Sequence, residues 1–173
     1  MCGFLVQFSK ENKNFQNFEL ANDLLEHRGP DSTKYIESKE SYKFGFKRLS
    51  ILDLDSSADQ PMVDNEKNYT IVFNGEIYNF NSLRGEIEKS GGKFLTSHSD
   101  TEAILEGYKI WGADILNKLE GQFSFVIFNK INQTLFMARD RVGQKPLFYR
   151  ITNERIIISS TLEPIIKLSK SFE

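Results

Sequence analysis

The only cysteine of the chain, Cys2, directly follows the first methionine in the opening run MCGFLVQFSK. A lone cysteine is in most proteins an inert small hydrophobe, so its position is what sets this one apart. Removal of Met1, which a small second residue permits, would put a thiol nucleophile and a free α-amine on one residue. An unperturbed α-amine has a pKa of about 7.7–8.0, near enough to neutrality to serve as the base for that thiol without a histidine. A thiolate attacking a carbonyl or carboxamide carbon generates a tetrahedral oxyanion, which needs donors already aimed at it. Asn74-Gly75 offers a side-chain amide and a backbone N–H for that purpose, although the same dipeptide also makes hairpin turns. Glu76 follows it. A substrate with an α-carboxylate calls for a guanidinium that grips both oxygens, and one with an α-ammonium calls for a carboxylate. Arg48 and Asp100 stand at the ends of elements and are the candidates. Arg48 equally fits a surface strand position, and Asp100 a partner for a helix dipole.

Other chemistries find less support. The two histidines, His27 and His98, belong to no HExxH pattern, there is no CxxC, and carboxylates do not cluster, so no metal site is expected. Neither GxGxxG nor GxxxxGK[ST] occurs, which removes the usual dinucleotide and phosphate-loop readings. With 22 basic and 24 acidic residues the net charge is -2. No run of five like charges offers a footprint for nucleic acid or an anionic membrane. A single cysteine forms no intramolecular disulfide, and Phe4-Leu5-Val6 is too short for a signal-peptide core or a membrane span. A reducing, cytoplasmic setting is expected. No basic cluster accompanies Cys2 to make it a lipid anchor.

These candidates need elements to hold them. The 173 residues, 39% hydrophobic with 15 Phe and 6 Tyr, are enough for one domain over 1–173, burying about 70% of its unfolded surface. A strand is predicted over 2–9, then a helix with Phe18, Ala21, Leu24 and Leu25 that stops at Arg28-Gly29-Pro30-Asp31. A short strand over 33–36 precedes another in which Tyr42, Phe44, Phe46 and Arg48 share a face. Residues 50–68, rich in Asp, Asn and Ser and containing Pro61, read as a long irregular connection. The run 69–73 suits a strand buried on both faces, with Asn74-Gly75 turning sharply at its end. A helix capped by Asn79 or Asn81 carries Leu83 and Ile87 and ends at Gly91-Gly92. Ser99 and Glu102 form a capping-box pattern that pins Asp100 in the first turn of a helix bearing Ala103, Ile104, Tyr108 and Trp111. A short helix over 115–119, a hairpin of 122–129 with 134–139, strands over 147–151 and 155–160, and a helix over 162–170 complete the chain. So many short apolar strands, with helices interspersed in groups, fit an α+β sandwich of two antiparallel sheets with helices outside.

Four separated motifs carry a family resemblance: Met1-Cys2-Gly3; HRGPD at 27–31; RLSILDL from Arg48, followed by QPM at 60–62; and NGEIYN at 74–79, with SDTE at 99–102 downstream. With LEGQFSFVIFN and ARDRVGQKPLFY, the chain resembles, over nearly its whole length, the N-terminal glutaminase domain of the asparagine synthetase family, a class II glutamine amidotransferase. The resemblance implies a four-layer αββα sandwich of the N-terminal nucleophile (Ntn) hydrolase type. It also implies the roles: Cys2 as nucleophile after methionine removal, Asn74 and Gly75 as oxyanion hole, Arg48 on the glutamine α-carboxylate, and Glu76 and Asp100 at its α-amino end. The RGPD loop, with Arg28 and Gly29, borders the pocket, and RDRVGQKPL supports the fold behind it. The implied reaction is hydrolysis of L-glutamine to L-glutamate and ammonia through a thioester, with no cofactor in this domain. Family members continue into a synthetase domain, absent from these 173 residues, that uses ATP and magnesium; asparagine or a sugar carboxamide is then the product. That domain, in cis or in trans, is the implied partner, and a homodimer of the full-length protein is compatible with it. The alternative is a non-catalytic partner-binding module, or a truncated domain whose amino terminus is blocked by retained Met1.

Overall fold

A computed structural model of the chain describes residues 2–9, 15–38, 41–49 and 59–170. The part of the irregular connection over 50–58 lies outside the described residues. The first sheet has the order β2 (Ser32–Ser38), β3 (Tyr42–Arg48), β1 (Gly3–Ser9), β9 (Arg155–Ser159), β8 (Phe148–Ile151). The second has the order β4 (Met62–Val63), β5 (Tyr69–Ile77), β6 (Gly121–Asn129), β7 (Thr134–Arg139). Every described pairing is antiparallel.

Alternation along the strands builds the layers. Phe4 and Val6 of β1, Phe44 and Phe46 of β3, Val72 of β5 and Val126 of β6 fill one buried cluster between the sheets. Residues of opposite parity face outward. Leu5 joins Phe18, Ala21, Leu25, Ile165 and Leu168 under helices α1 (Phe18–Asn22) and α4 (Leu162–Lys170). Phe73, Phe123, Phe125 and Ile127 join Leu83, Ile87, Ala103 and Ile104 under α2 (Phe80–Lys89) and α3 (Asp100–Trp111). The result is the expected four-layer αββα sandwich.

Five local details differ from the sequence reading. The run 50–68, read as irregular, contains strand β4, whose Met62 and Val63 pair with Ile71 and Thr70. Asn74-Gly75 does not turn: β5 continues to Ile77, and Gly75, at φ +156°, sits in the ladder opposite Phe123. Pairing with β6 outweighs the local turn preference, and only glycine fits there, because a Cβ would lie 2.1 Å from the Gln122 carbonyl oxygen. The first helix tightens into a 3-10 turn at Asp23–Leu25, which buries Leu25 and leaves Leu24 exposed. The helix expected over 115–119 is a 3-10 segment, Gly112–Asn117. At the caps, Asn79 precedes α2 but turns its side chain away, donating to Lys118 O and accepting from Glu120 N. Ser99 does cap α3, accepting from Glu102 N at 3.2 Å. The Glu102 carboxylate, however, accepts from Leu95 N and Thr96 N in the preceding loop, so only half of the capping box forms.

Candidate active site

Strand register brings the first two candidates together. Gly3 pairs with Lys47, so Cys2 at the mouth of β1 lies beside Arg48 at the end of β3, and both have the parity of the inter-sheet face. Cys2 is half-buried, and its Sγ contacts the Leu49 backbone, accepting from Leu49 N at 3.5 Å. The RGPD loop lies flat against the same end of β3. Gly29 makes this close approach feasible, since a Cβ there would stand 2.3 Å from Lys47 O. The loop delivers Arg28, whose Nε donates to the Cys2 carbonyl at 3.0 Å. Lys47, on the outer face of β3, secures the turn that leads into the loop through Asp23 and Glu26, at 3.0 and 2.5 Å.

The second sheet supplies the rest from the end of β5. Hydrogen-bond partners fix the Asn74 amide: its Nδ2 donates to Cys2 O at 3.2 Å and its Oδ1 accepts from Arg28 Nη2 at 3.3 Å. Arg28 therefore holds both the Cys2 backbone and the Asn74 side chain. Burial lowers the pKa of Arg28, opposed by its attraction to Cys2 and Glu163. Asp100, in the first turn of α3, accepts from Ile77 N at 3.2 Å. Burial raises its pKa to about 6; the Ile77 hydrogen bond opposes the shift and the Glu76 charge adds to it. Glu76 itself is exposed.

Of the sequence candidates, Cys2, Arg28 and Asn74 are in direct contact. Gly75, Glu76 and Asp100 cluster around the end of β5, and Arg48 faces Cys2 across the sheet edge. Arg48 is not directed at solvent alone, because its guanidinium pairs with Asp59. The sequence reading missed that pair, the double role of Arg28, and Gln60, a buried side chain whose Oε1 accepts from Phe73 N and whose Nε2 donates to Thr101 Oγ1 at 3.2 Å. The QPM motif flagged Gln60 without assigning it a role; the other two depend on side-chain directions that spacing does not encode. Among the described residues, no three His, Cys, Asp or Glu side chains gather to hold a metal, and no helix is long and apolar enough to cross a membrane. A cavity of about 300 Å³ lined by Arg150, Glu154, Arg155 and Leu168 lies toward the other end of β1, where Ser9 pairs with Arg155, and is separate from this site.

One end of the inter-sheet layer thus gathers the Cys2 thiol, the Asn74 amide beside Gly75, the guanidinium groups of Arg28 and Arg48, and the carboxylates of Glu76 and Asp100. The model of the glutamine amidotransferase domain family matches residues 1–172. The chain is 39% identical over 178 aligned residues to asparagine synthetase [glutamine-hydrolyzing] 1 of Bacillus subtilis, covering 100% of this chain and 28% of that protein. It is 36% identical to asparagine synthetase [glutamine-hydrolyzing] 3 of the same organism, over 96% of this chain and 27% of the relative. It therefore spans a little over a quarter of the length of these curated relatives. Among solved structures, glutamine phosphoribosylpyrophosphate amidotransferase from B. subtilis superposes with a TM-score of 0.71 at 20% identity, over 92% of this chain and 42% of that one. That likeness shows a shared fold, the four-layer αββα sandwich. With its whole length matched by the family model and its sequence by these relatives, the chain belongs to the glutamine amidotransferase domain family.

Proposed function

We propose that the chain hydrolyses L-glutamine to L-glutamate and ammonia with Cys2 as nucleophile. The observation that carries this reading is the direct contact of Cys2, Arg28 and Asn74 at one end of the inter-sheet layer. With Met1 removed, the Cys2 α-amine takes the thiol proton as Sγ attacks the substrate carboxamide carbon. The carbonyl oxygen becomes an oxyanion held by Gly75 N–H and by the Asn74 Nδ2 hydrogen that is not given to Cys2 O. Collapse of the tetrahedral intermediate breaks the C–N bond, and the leaving nitrogen takes the proton from the α-ammonium and departs as ammonia. Water, deprotonated by the same amine, then attacks the γ-glutamyl thioester; the C–S bond breaks, the thiolate recovers its proton, and glutamate leaves. Arg48 receives the α-carboxylate, Asp100 and Glu76 the α-ammonium, and Arg28 and Gly29 border the pocket.

The names of the relatives supply the next step. The ammonia feeds an asparagine synthetase-like amidation by a synthetase domain in cis or in trans, with asparagine or a sugar carboxamide as product. ATP and magnesium act there, and the glutaminase step uses only side chains and the amino terminus. A free Cys2 thiol suits a cytoplasmic setting.

Steady-state release of glutamate and ammonia from glutamine tests the reading. Equimolar release is expected, falling at least about a thousandfold in Cys2→Ser. Undiminished turnover in Cys2→Ser contradicts it. Protein that retains Met1, identified by intact mass, is expected to be inactive, since the Cys2 nitrogen is then a peptide amide and no base; activity there would remove the amine from the mechanism.

A further inference from the structure

The Gln60 amide sits where three arms of the proposed site meet, and the hydrolysis scheme above gives it no part to play. β4 pairs Met62 with Ile71 and Val63 with Thr70, a register that, continued, sets Gln60 opposite Phe73. The strand ends before that point, and the side chain of Gln60 replaces the missing ladder partner by accepting from Phe73 N at 2.5 Å. Its other end donates to Thr101 Oγ1 at 3.2 Å, on the first turn of α3. Phe73 immediately precedes Asn74 and Thr101 immediately follows Asp100. Asp59, next to Gln60 in the chain, pairs with Arg48. Gln60 is 9% exposed, and both of its partners are buried, so neither bond is readily replaced by water.

We propose that Gln60 is a positioning residue that fixes the oxyanion-binding strand relative to the ammonium-binding carboxylate. The proposal rests on the glutaminase reading of the site. A side chain with one acceptor and one donor face is suited to this, because the carbonyl end holds the strand, the amide end holds the helix, and the rigid amide plane sets the distance between them. The two bonds act on different steps. The strand arm carries Asn74 and governs stabilisation of the oxyanion, while the helix arm carries Asp100 and governs recognition of the α-ammonium.

Kinetics of two variants of the full chain separate this from a purely structural role. Thr101→Val cuts only the helix arm and is expected to raise the glutamine KM roughly tenfold with kcat within about twofold of wild type. Gln60→Met cuts both arms and is expected to raise KM at least as much and to lower kcat roughly tenfold. If the bonds merely hold the fold together, both variants lose thermal stability and active fraction while KM stays at the wild-type value, and that result overturns the proposal. Should Gln60→Met fail to fold, Thr101→Val decides alone. Binding of L-glutamine by calorimetry in a Cys2→Ser background reads the same arm without turnover: Thr101→Val is expected to weaken it roughly tenfold, and an unchanged Kd overturns the assignment. Failure of the thiol mechanism shows separately, as turnover that survives Cys2→Ser while this binding difference persists.

Discussion

Asn74 lies within β5 and Asp100 accepts from Ile77 N at the end of that strand, but on the proposed reading they face different features of a bound glutamine, and substitution separates them. Asn74→Ala is expected to lower kcat about 100-fold to 1000-fold, about 3–4 kcal/mol of oxyanion stabilisation, with little change in KM. Arg48→Ala and Asp100→Ala are expected mainly to raise KM. The Asp100 pKa of about 6 gives a pH signature. Its ionised form attracts the α-ammonium, so KM is expected to be flat above about pH 7 and to climb about tenfold per pH unit below 6, a rise that Asp100→Asn abolishes. The sign for stability is opposite to that of a paired carboxylate. A pKa raised from 3.8 in the folded state means the folded chain binds the proton more tightly, so this group destabilises the fold at neutral pH and ceases to do so below about pH 4. Thermal melts of Asp100→Asn at pH 7 and pH 4 are expected to show a gain over wild type only at pH 7. At this scale the candidate residues were legible in residue type: a thiol behind Met1, an amide beside a glycine, a guanidinium and a carboxylate at element ends. The contacts of Arg28 with Cys2 O and Asn74 Oδ1 were not, because rotamers and loop placement arise from packing that no local pattern records.

Strand β5 shows where local rules give way. Asn-Gly reads as a turn, yet Gly75 lies within a nine-residue strand whose ladder with β6 runs from Tyr69–Asn129 to Ile77–Gly121. A partner about 50 residues away in the chain decides its conformation, and sequence windows are blind to that. Where the apolar period was long and regular, in β1, β3, α3, α4 and the β6–β7 hairpin, the elements came out as expected. Gly75→Ala is expected to cost about 2–4 kcal/mol, a fall in Tm of roughly 5–15 °C, because the new Cβ meets Gln122 O and the left-handed backbone strains it. Differential scanning calorimetry checks this, and a Tm within about 2 °C of wild type would show that the ladder adapts.

The whole molecule places an apolar, aromatic-rich layer between two sheets and the candidate site at one end of that layer. Burial patterning was sufficient to foresee the layers, while strand order followed only from the structure, since periodicity carries no pairing information. The chain covers a little over a quarter of its Bacillus relatives, so on the proposed reading its ammonia is made for use elsewhere in a larger assembly. A glutaminase that is not coupled to an acceptor wastes glutamine. The 173-residue chain alone is therefore expected to turn over glutamine more slowly than the same domain joined to, or mixed with, its synthetase partner; equal rate constants would mark an autonomous glutaminase. The central claim is the covalent role of Cys2. The most direct measurement is intact and peptide mass analysis after treatment with a glutamine-mimicking diazo-oxo-norleucine. A single adduct on an amino-terminal Cys2, slowed by glutamine and absent in Cys2→Ser, is the expected result; no adduct at Cys2, with glutamine turnover intact, would contradict the account.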